Sequence, residues 1–533
     1  LAELPFFTSE EGRGRFLALL FFLSVSVITV WGTWQGTLPA SDEAVIAETG
    51  REIVTTGAAV TMHFDGEPVH DTPPLGPWLI AIFCRLFGTN EFAARFAFLA
   101  MSVLTLFILY HAGRLASQDW CLPGTAREST TETGPEADAG TNAQADRRTH
   151  WGTLATATGF LSAAVLGSTP LYAKLAPHIT LGLPFAFCAA VALLGWLYLP
   201  SGRIGLILWE AAVAGCVLSA GAGGFFVIAG AFLASLADGK RRVLLRSGGF
   251  YLATLVGVAV GGLWLLPETM RSGQGFFENA LWAPLARVVR PSAAAPSLVL
   301  DAFKNVWFRT LPWSVLATGA FIKVVSLTGR RRREALVEGV DGALFIFAAV
   351  VFLPLSLGGA AHLSPFLPVL PFVSIISARE IARWLQRPGA DLARRVWTLN
   401  HVMTALFCLF MLLVVATPIV VRRIVNDPIK DVARMAARLT PETERIGNFA
   451  QPYRQQCARM LFYGGRSLEK PRGSVAEVAA ALAENPRMIF LSSARDLASL
   501  RAAEDFPFEI KVLYGSGDLV LFGARELRPP HAP

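Results

Sequence analysis

Charge is scarce in this chain. Only 16% of its 533 residues are Asp, Glu, Lys or Arg, against about 25% in ordinary soluble domains, while 53% are apolar. That balance argues against a plain soluble globule and predicts a polytopic α-helical membrane protein. Paired cysteine is missing as well. Six cysteines, at 84, 121, 188, 216, 408 and 457, fall mostly inside apolar segments and form no CxxC pair, so neither a disulfide framework nor a zinc knuckle follows. There is no HExxH word, which removes the strongest sequence signal for a metal-dependent hydrolase. Residues 1–13 lack the cationic start of a cleavable signal, so the first apolar segment is read as a retained helix. The net charge of +7 comes from short basic runs between apolar segments, at Lys240–Arg242, Arg330–Arg333 and Arg379 to Arg395. Such runs set membrane orientation and do not point to nucleic acid.

What is present is a series of apolar runs near the ~20 residues needed to cross a bilayer. They lie at 15–36, 77–115, 151–170, 179–199, 204–219, 224–237, 247–267, 304–327, 342–357, 363–378 and 397–421. About eleven spans are expected over residues 1–421. With the N-terminus inside, this places every strongly basic connection on the cytoplasmic side and loop 37–75 outside. Leu75–Phe87 reads as a re-entrant or interfacial piece before the span at Phe92–Ala112. Gly221 to Gly224 marks either a link between two short spans or a break in one. Asp119–His150, rich in Gly, Thr, Ala and acids, cannot bury a core and is read as a disordered cytoplasmic loop. Pro267–Asn305 mixes aromatic residues with Arg271, Arg287 and Arg290, as interfacial helices do. Residues 422–533 are charged and mixed. They are expected to form a small extracytoplasmic α/β domain, with a helix capped by Ser474 and Glu477, strands at Met488–Leu491 and Ile510–Tyr514, and a turn at Gly515–Asp518 leading into Leu519–Phe522.

The acids concentrate in Ser41–Trp78, which holds Asp42, Glu43, Glu48, Asp65, Glu67 and Asp71 with His63 and His70. Ser41 suits an N-cap, and Asp42 and Glu43 then fill the first turn of a helix to about Thr55, where negative charge complements the helix dipole. Ile46, Gly50, Ile53 and Val54 recur at helical spacing and are expected to face the membrane surface. Two acids at a helix start suit the dipole with no further role. Directly after a span, however, a carboxylate can also serve as a general base or metal ligand. His70-Asp71-Thr72-Pro73-Pro74 returns the chain to the membrane. Asp71, His70 and His178 form a carboxylate–imidazole set of the kind that binds a divalent metal, though a plain hydrogen-bonding role for the histidines is as good a reading. Arg95, Lys174 and Arg271 either snorkel to headgroups or grip a phosphate.

The ordered words Leu38-Pro-Ala-Ser-Asp-Glu43, His70-Asp-Thr-Pro-Pro-Leu75, Gly88-Thr-Asn-Glu-Phe-Ala-Ala-Arg95, Leu218-Ser-Ala-Gly-Ala-Gly-Gly224, Leu311-Pro-Trp-Ser314 and Phe366-Leu-Pro-Val-Leu-Pro371 cover the chain from 15 to 380. This layout resembles the membrane glycosyltransferases of the protein O-mannosyltransferase and lipid A aminoarabinose transferase superfamily. The resemblance implies a polyprenyl-phosphate-linked sugar as donor and a lipid, glycan or protein as acceptor, at the outer face of a bacterial inner membrane. It implies catalytic roles for Asp42 and Glu43, donor or phosphate contacts from Arg95, Lys174 and Arg271, and help with metal or donor binding from Asp71. The chain departs from the pattern where basic or acidic residues are expected, at Thr72, around Pro177-His178, at Ala220 and at His362. Those losses keep open a non-catalytic relative that binds a lipid-linked glycan or a partner protein. A transporter would need paired broken spans in related halves, and only the Gly221–Gly224 break is present.

Overall fold

The computed structural model describes residues 36–39, 41–117, 155–239, 241–278, 282–326, 340–358, 363–385, 428–503 and 506–524. All but Gly36 of the expected span at 15–36, the expected span at 397–421, the Asp119–His150 loop, Arg330–Arg333 and His362 lie outside the described residues. The chain forms two compact units. One comprises residues 1–31, 73–75 and 98–412, and the other 32–72, 76–97 and 413–533.

The first unit is helical where it is described. Among the described residues, four helical runs are long and apolar enough to cross a bilayer: Glu91–Ala116, Arg203–Ala237, Gly248–Ser272 and Ser364–Leu385. Ala155–Gly167, Gly182–Tyr198, Trp313–Ser326 and Val340–Ser356 are apolar but shorter. The 35-residue run is not one straight rod. A Cβ placed on Gly224 would lie 2.6 Å from the backbone of Cys216, although residues eight apart on a straight helix are separated by about 12 Å. The chain therefore reverses at Gly221–Gly223, where Gly221 has φ 54°. Arg203–Ala220 is held between two neighbours by small-residue contacts. Gly195 of Gly182–Tyr198 meets the Trp209 backbone, and Gly257 and Gly261 meet Val213 and Val217. Close approach of this kind is what packs helices where lipid offers no hydrophobic drive.

One basic residue departs from its sequence reading. Arg379, expected in a basic connection, is 2% exposed inside the helix Leu370–Leu385. Its Nε donates to Asp341 at 2.7 Å and its Nη1 to the Ala116 carbonyl. Arg383 pairs with Asp341 and Glu380, and Lys323 with Glu380. A charge this deep is tolerated because it is paired, and the pairing ties together the ends of several helices.

The second unit contains α1 (Asp42–Thr56), a short hairpin of β1 (His63–Phe64) and β2 (Glu67–Pro68), α2 (Leu75–Phe87), and the first turns of α3 (Glu91–Ala116). Its later part runs α4 (Ile429–Leu439), β3 (Gly447–Asn448), α5 (Tyr453–Gly464), α6 (Val475–Glu484), β4 (Phe490–Ser493), α7 (Ala494–Arg501), β5 (Ile510–Ser516) and β6 (Leu519–Ala524). The sheet order is β3-β4-β6-β5, with β3 parallel to β4 and the remaining pairs antiparallel. Phe490 and Phe522 stack at 5.5 Å within a core that includes Val478, Leu482 and Leu497. Ser474 caps α6 by accepting from the Glu477 N–H.

The helix α1 does not lie with one face on a membrane surface. Ile46, Gly50 and Ile53 are buried in protein, and so are Glu43, Glu48 and Glu52. The helix packs on α5, and at Gly50 it meets α2 so closely that an added Cβ would lie 2.5 Å from Ile80 Cγ2 and 3.1 Å from the Pro77 carbonyl. Apolar spacing alone marks a buried stripe without saying what covers it, and here protein covers it. Gly50→Ala adds about 1 kcal/mol of helix propensity, but overpacking costs about 1–3 kcal/mol. The variant should therefore unfold at lower temperature than wild type in the same detergent. An unchanged or raised midpoint would refute the close α1–α2 contact.

Candidate active site

Ser41 is extended (φ −148°, ψ −177°), and its Oγ accepts from the Glu43 N–H at 3.3 Å. This starts α1 at Asp42 and sends two adjacent acids in different directions. Asp42 is exposed, whereas Glu43 is 5% exposed and turned inward. Glu43 Oε1 accepts from Arg95 Nε at 2.6 Å. Arg95 reaches it because Gly88 (φ 78°) ends α2 and Asn90 opens α3, its Oδ1 accepting from the Ala93 N–H at 2.8 Å. The same guanidinium donates to the carbonyls of Gly36 at 2.7 Å and Thr37 at 3.4 Å. One residue on, the Leu38 N–H donates to the Tyr463 hydroxyl at 2.7 Å. The approach to Asp42 is thus pinned from both α3 and α5.

Three further acids sit behind it. Glu48 is fully buried and bidentate to Arg51, with both contacts at 2.7 Å. Burial pushes its carboxyl up to about 7, with the charges of Glu52 and Asp65 adding to the shift and Arg51 opposing it. Glu52 Oε1 accepts from the Gly66 N–H at 3.0 Å, and its Oε2 is buried without a hydrogen-bond partner. Asp65 (φ 56°) forms the β1–β2 turn with Gly66 and accepts from Ser467 Oγ at 2.8 Å and Tyr453 Oη at 3.1 Å.

Asp71 and His70 are exposed where the chain re-enters toward α2. Both oxygens of Asp71 face Arg454, at 3.2 and 3.4 Å, and Thr72 Oγ1 donates to Oδ1 at 3.2 Å. Burial works against ionisation, but the Arg454 guanidinium overcomes it and holds the Asp71 carboxyl below the usual range. Arg454 was not legible as a site residue, because it lies 383 positions away along the chain. Among the described residues, no three His, Cys, Asp or Glu side chains gather as a metal site. Asp71 and His70 belong to one unit and His178 to the other, and Asp71 is met by the Arg454 guanidinium.

The remaining candidates belong to the helical unit. Lys174 is exposed on the short helix Pro170–Leu175, and His178, half-buried, follows it. Arg271 is exposed on Leu265–Ser272. Nearby in sequence, Trp282, Arg287 and Arg290 line an open cavity of about 680 Å³ with Glu278. Of the expected site residues, the structure brings together Glu43 and Arg95 and places Asp42 beside them in sequence.

Two measurements test this electrostatic frame. Removing one member of a buried pair leaves an uncompensated charge, costing about 3–5 kcal/mol. Arg95→Ala should therefore lower thermal stability sharply, while the apolar double variant Glu43→Leu with Arg95→Met should recover most of the loss. A mild Arg95→Ala effect would show that the pair does not hold α1. Glu48 gives a pH signature. Its folded carboxyl binds a proton more tightly than the unfolded one, so this stabilisation is full below about 4.5 and is lost as pH rises toward about 7. Glu48→Gln should flatten the fall in unfolding temperature across that window, and an unchanged pH profile would count against the burial of this charge.

A family model described as dolichyl-phosphate-mannose-protein mannosyltransferase matches residues 71–119. The undecaprenyl phosphate-alpha-4-amino-4-deoxy-L-arabinose arabinosyl transferase 1 of Pseudomonas fluorescens is 23% identical over 419 residues, covering 76% of this chain and 63% of that protein. An uncharacterised protein of Aquifex aeolicus is 22% identical over 262 residues, covering 49% of this chain and 44% of its own length. The matched stretch thus spans less than two thirds of either relative. The crystal structure of ArnT from Cupriavidus metallidurans bound to undecaprenyl phosphate superposes with a TM-score of 0.59 at 14% identity, covering 96% of this chain and 99% of that one. At that identity the likeness is one of fold. With the ordered words from residue 38 to residue 371, these matches make the chain similar to the membrane glycosyltransferase superfamily of protein O-mannosyltransferases and lipid A aminoarabinose transferases.

Proposed function

We propose that this protein transfers a sugar from a polyprenyl-phosphate-linked donor to a lipid, glycan or protein acceptor at the outer face of a bacterial inner membrane. The observation that carries the reading is the division of labour in the Asp-Glu pair. Asp42 is exposed at the start of α1, while Glu43 is buried against Arg95 at 2.6 Å. The named relative in Pseudomonas fluorescens and the undecaprenyl phosphate bound to ArnT in its crystal structure point the same way.

In this reading Asp42 is the general base. It takes the proton from an acceptor hydroxyl as that oxygen attacks the anomeric carbon of the donor. The bond from that carbon to the phosphate oxygen breaks, its electron pair stays on the phosphate, and polyprenyl phosphate departs. A cation must stabilise that growing charge. Arg454 beside Asp71, and Lys174 and Arg271 in the helical unit, are the candidates for that role. Glu43 acts differently, being held inside with Arg95, where it orients the turn that presents Asp42. The orientation that keeps the basic connections cytoplasmic puts loop 37–75 and residues 422–533 on the outer side.

Asp42→Asn keeps the shape and the cap while removing the base. General-base catalysis contributes about a hundred- to ten-thousand-fold, so transfer by the purified variant should fall by that range at unchanged folding. The assay is release of polyprenyl phosphate from a panel of undecaprenyl-phosphate sugars. Equal rates for variant and wild type would remove Asp42 from the mechanism. No turnover by wild type across the panel would turn the reading toward a binding-only relative.

A further inference from the structure

The segment that delivers Asp42 has no regular secondary structure from Gly36 to Pro39, so its backbone groups need partners from elsewhere. Two side chains supply them. Arg95 takes the carbonyls of Gly36 and Thr37, and Tyr463 takes the Leu38 N–H at 2.7 Å, across 425 positions of sequence. Leu38 itself is fully buried. Glu91 is held by Lys430 Nζ at 2.6 Å, and that ammonium lies 5.5 Å over the Tyr463 ring. The phenol therefore accepts from the approach to the active turn, with its ring beneath the ammonium that holds the first residue of α3. That hydrogen bond depends on α5, which packs on α1 and ends at Gly465 (φ 61°).

We propose that Tyr463, contributed by the C-terminal part of the chain, is a positioning residue for Asp42. Together with Arg95 it braces residues 36–38, so the carboxylate at the head of α1 is held in one place relative to the acceptor. The C-terminal segment is then a working part of the site as well as an appended fold. This rests on the proposed role of Asp42. A displacement of about 1 Å in a reacting group costs about a hundredfold in rate, so losing one of two braces should act on turnover more than on donor binding.

Tyr463→Phe keeps the ring over Lys430 and removes only the hydroxyl. Hydrogen exchange of the full-length protein in detergent should accelerate at least about tenfold at the Leu38–Glu43 amides, with exchange in the β4–β6 strands unchanged. With an undecaprenyl-phosphate sugar as substrate, kcat should fall about 10- to 100-fold while the KM for that donor stays within about twofold. Unchanged exchange at Leu38 overturns the brace. Faster exchange with unchanged kcat overturns the positioning role, as does a KM rise that accounts for the whole loss. A wild type that transfers nothing overturns the catalytic reading instead, and exchange at Leu38 then decides the brace by itself.

Discussion

A buried carboxylate needs a partner, and much of the second unit follows from supplying one to Glu43. Arg95 stands 2.6 Å away, and both side chains are about 4% exposed. In so dry a setting a single charge would cost several kcal/mol, and the pair is stable only because each member has the other and the guanidinium is further satisfied by backbone carbonyls. That requirement joins the start of α1, the start of α3 and the irregular approach at 36–38. Once those three are joined, Asp42 is left outside on a rigid turn. The exposure of one acid is thus a consequence of the burial of its neighbour.

The same logic recurs along α1, a helix buried on nearly every face that carries Glu43, Glu48 and Glu52. Each finds a different partner: an arginine from α3, an arginine one turn on, and a backbone N–H of the β1–β2 turn. The third arrangement leaves one oxygen of Glu52 unpaired. Together with the elevated carboxyl of Glu48, it marks this helix as a place where stability is given up to keep acids inside. The helical unit handles its charges in the same way, with Asp341, Arg379, Arg383, Glu380 and Lys323 drawn into one network. Its helices otherwise approach through glycine, as at Gly195, Gly257 and Gly261, which suits a setting without water between them.

The departures from the family pattern acquire a physical context here. Thr72 stands where a lysine is expected from the resemblance, and beside it the Asp71 carboxylate is met by Arg454 from α5. A positive charge is therefore present at that corner of the unit, delivered by a different part of the chain. The region after residue 428 also supplies Tyr463 to Leu38, and Ser467 and Tyr453 to Asp65. The acid-bearing loop and the C-terminal α/β elements form one unit because of these links.

Features legible along the chain are those that short-range physics can carry. Ser41 before two acids announces a helix, and the helix runs Asp42–Thr56. Gly515–Asp518 between two apolar runs announces a hairpin, and β5 and β6 pair across it. Low charge and long apolar runs announce membrane helices, and the ordered words announce a resemblance to the superfamily. The sequence did not show which face of α1 was covered, because the spacing of Ile46, Gly50 and Ile53 reads the same against lipid as against α2 and α5. It did not show that Arg95 would be consumed by Glu43, that Arg379 would be buried against Asp341, or that Arg454 and Tyr463 would reach back more than 380 residues. Those choices belong to the folded chain, because a charge or a backbone N–H taken out of water pairs with whatever group the fold brings within about 3 Å, and sequence spacing carries no record of that distance.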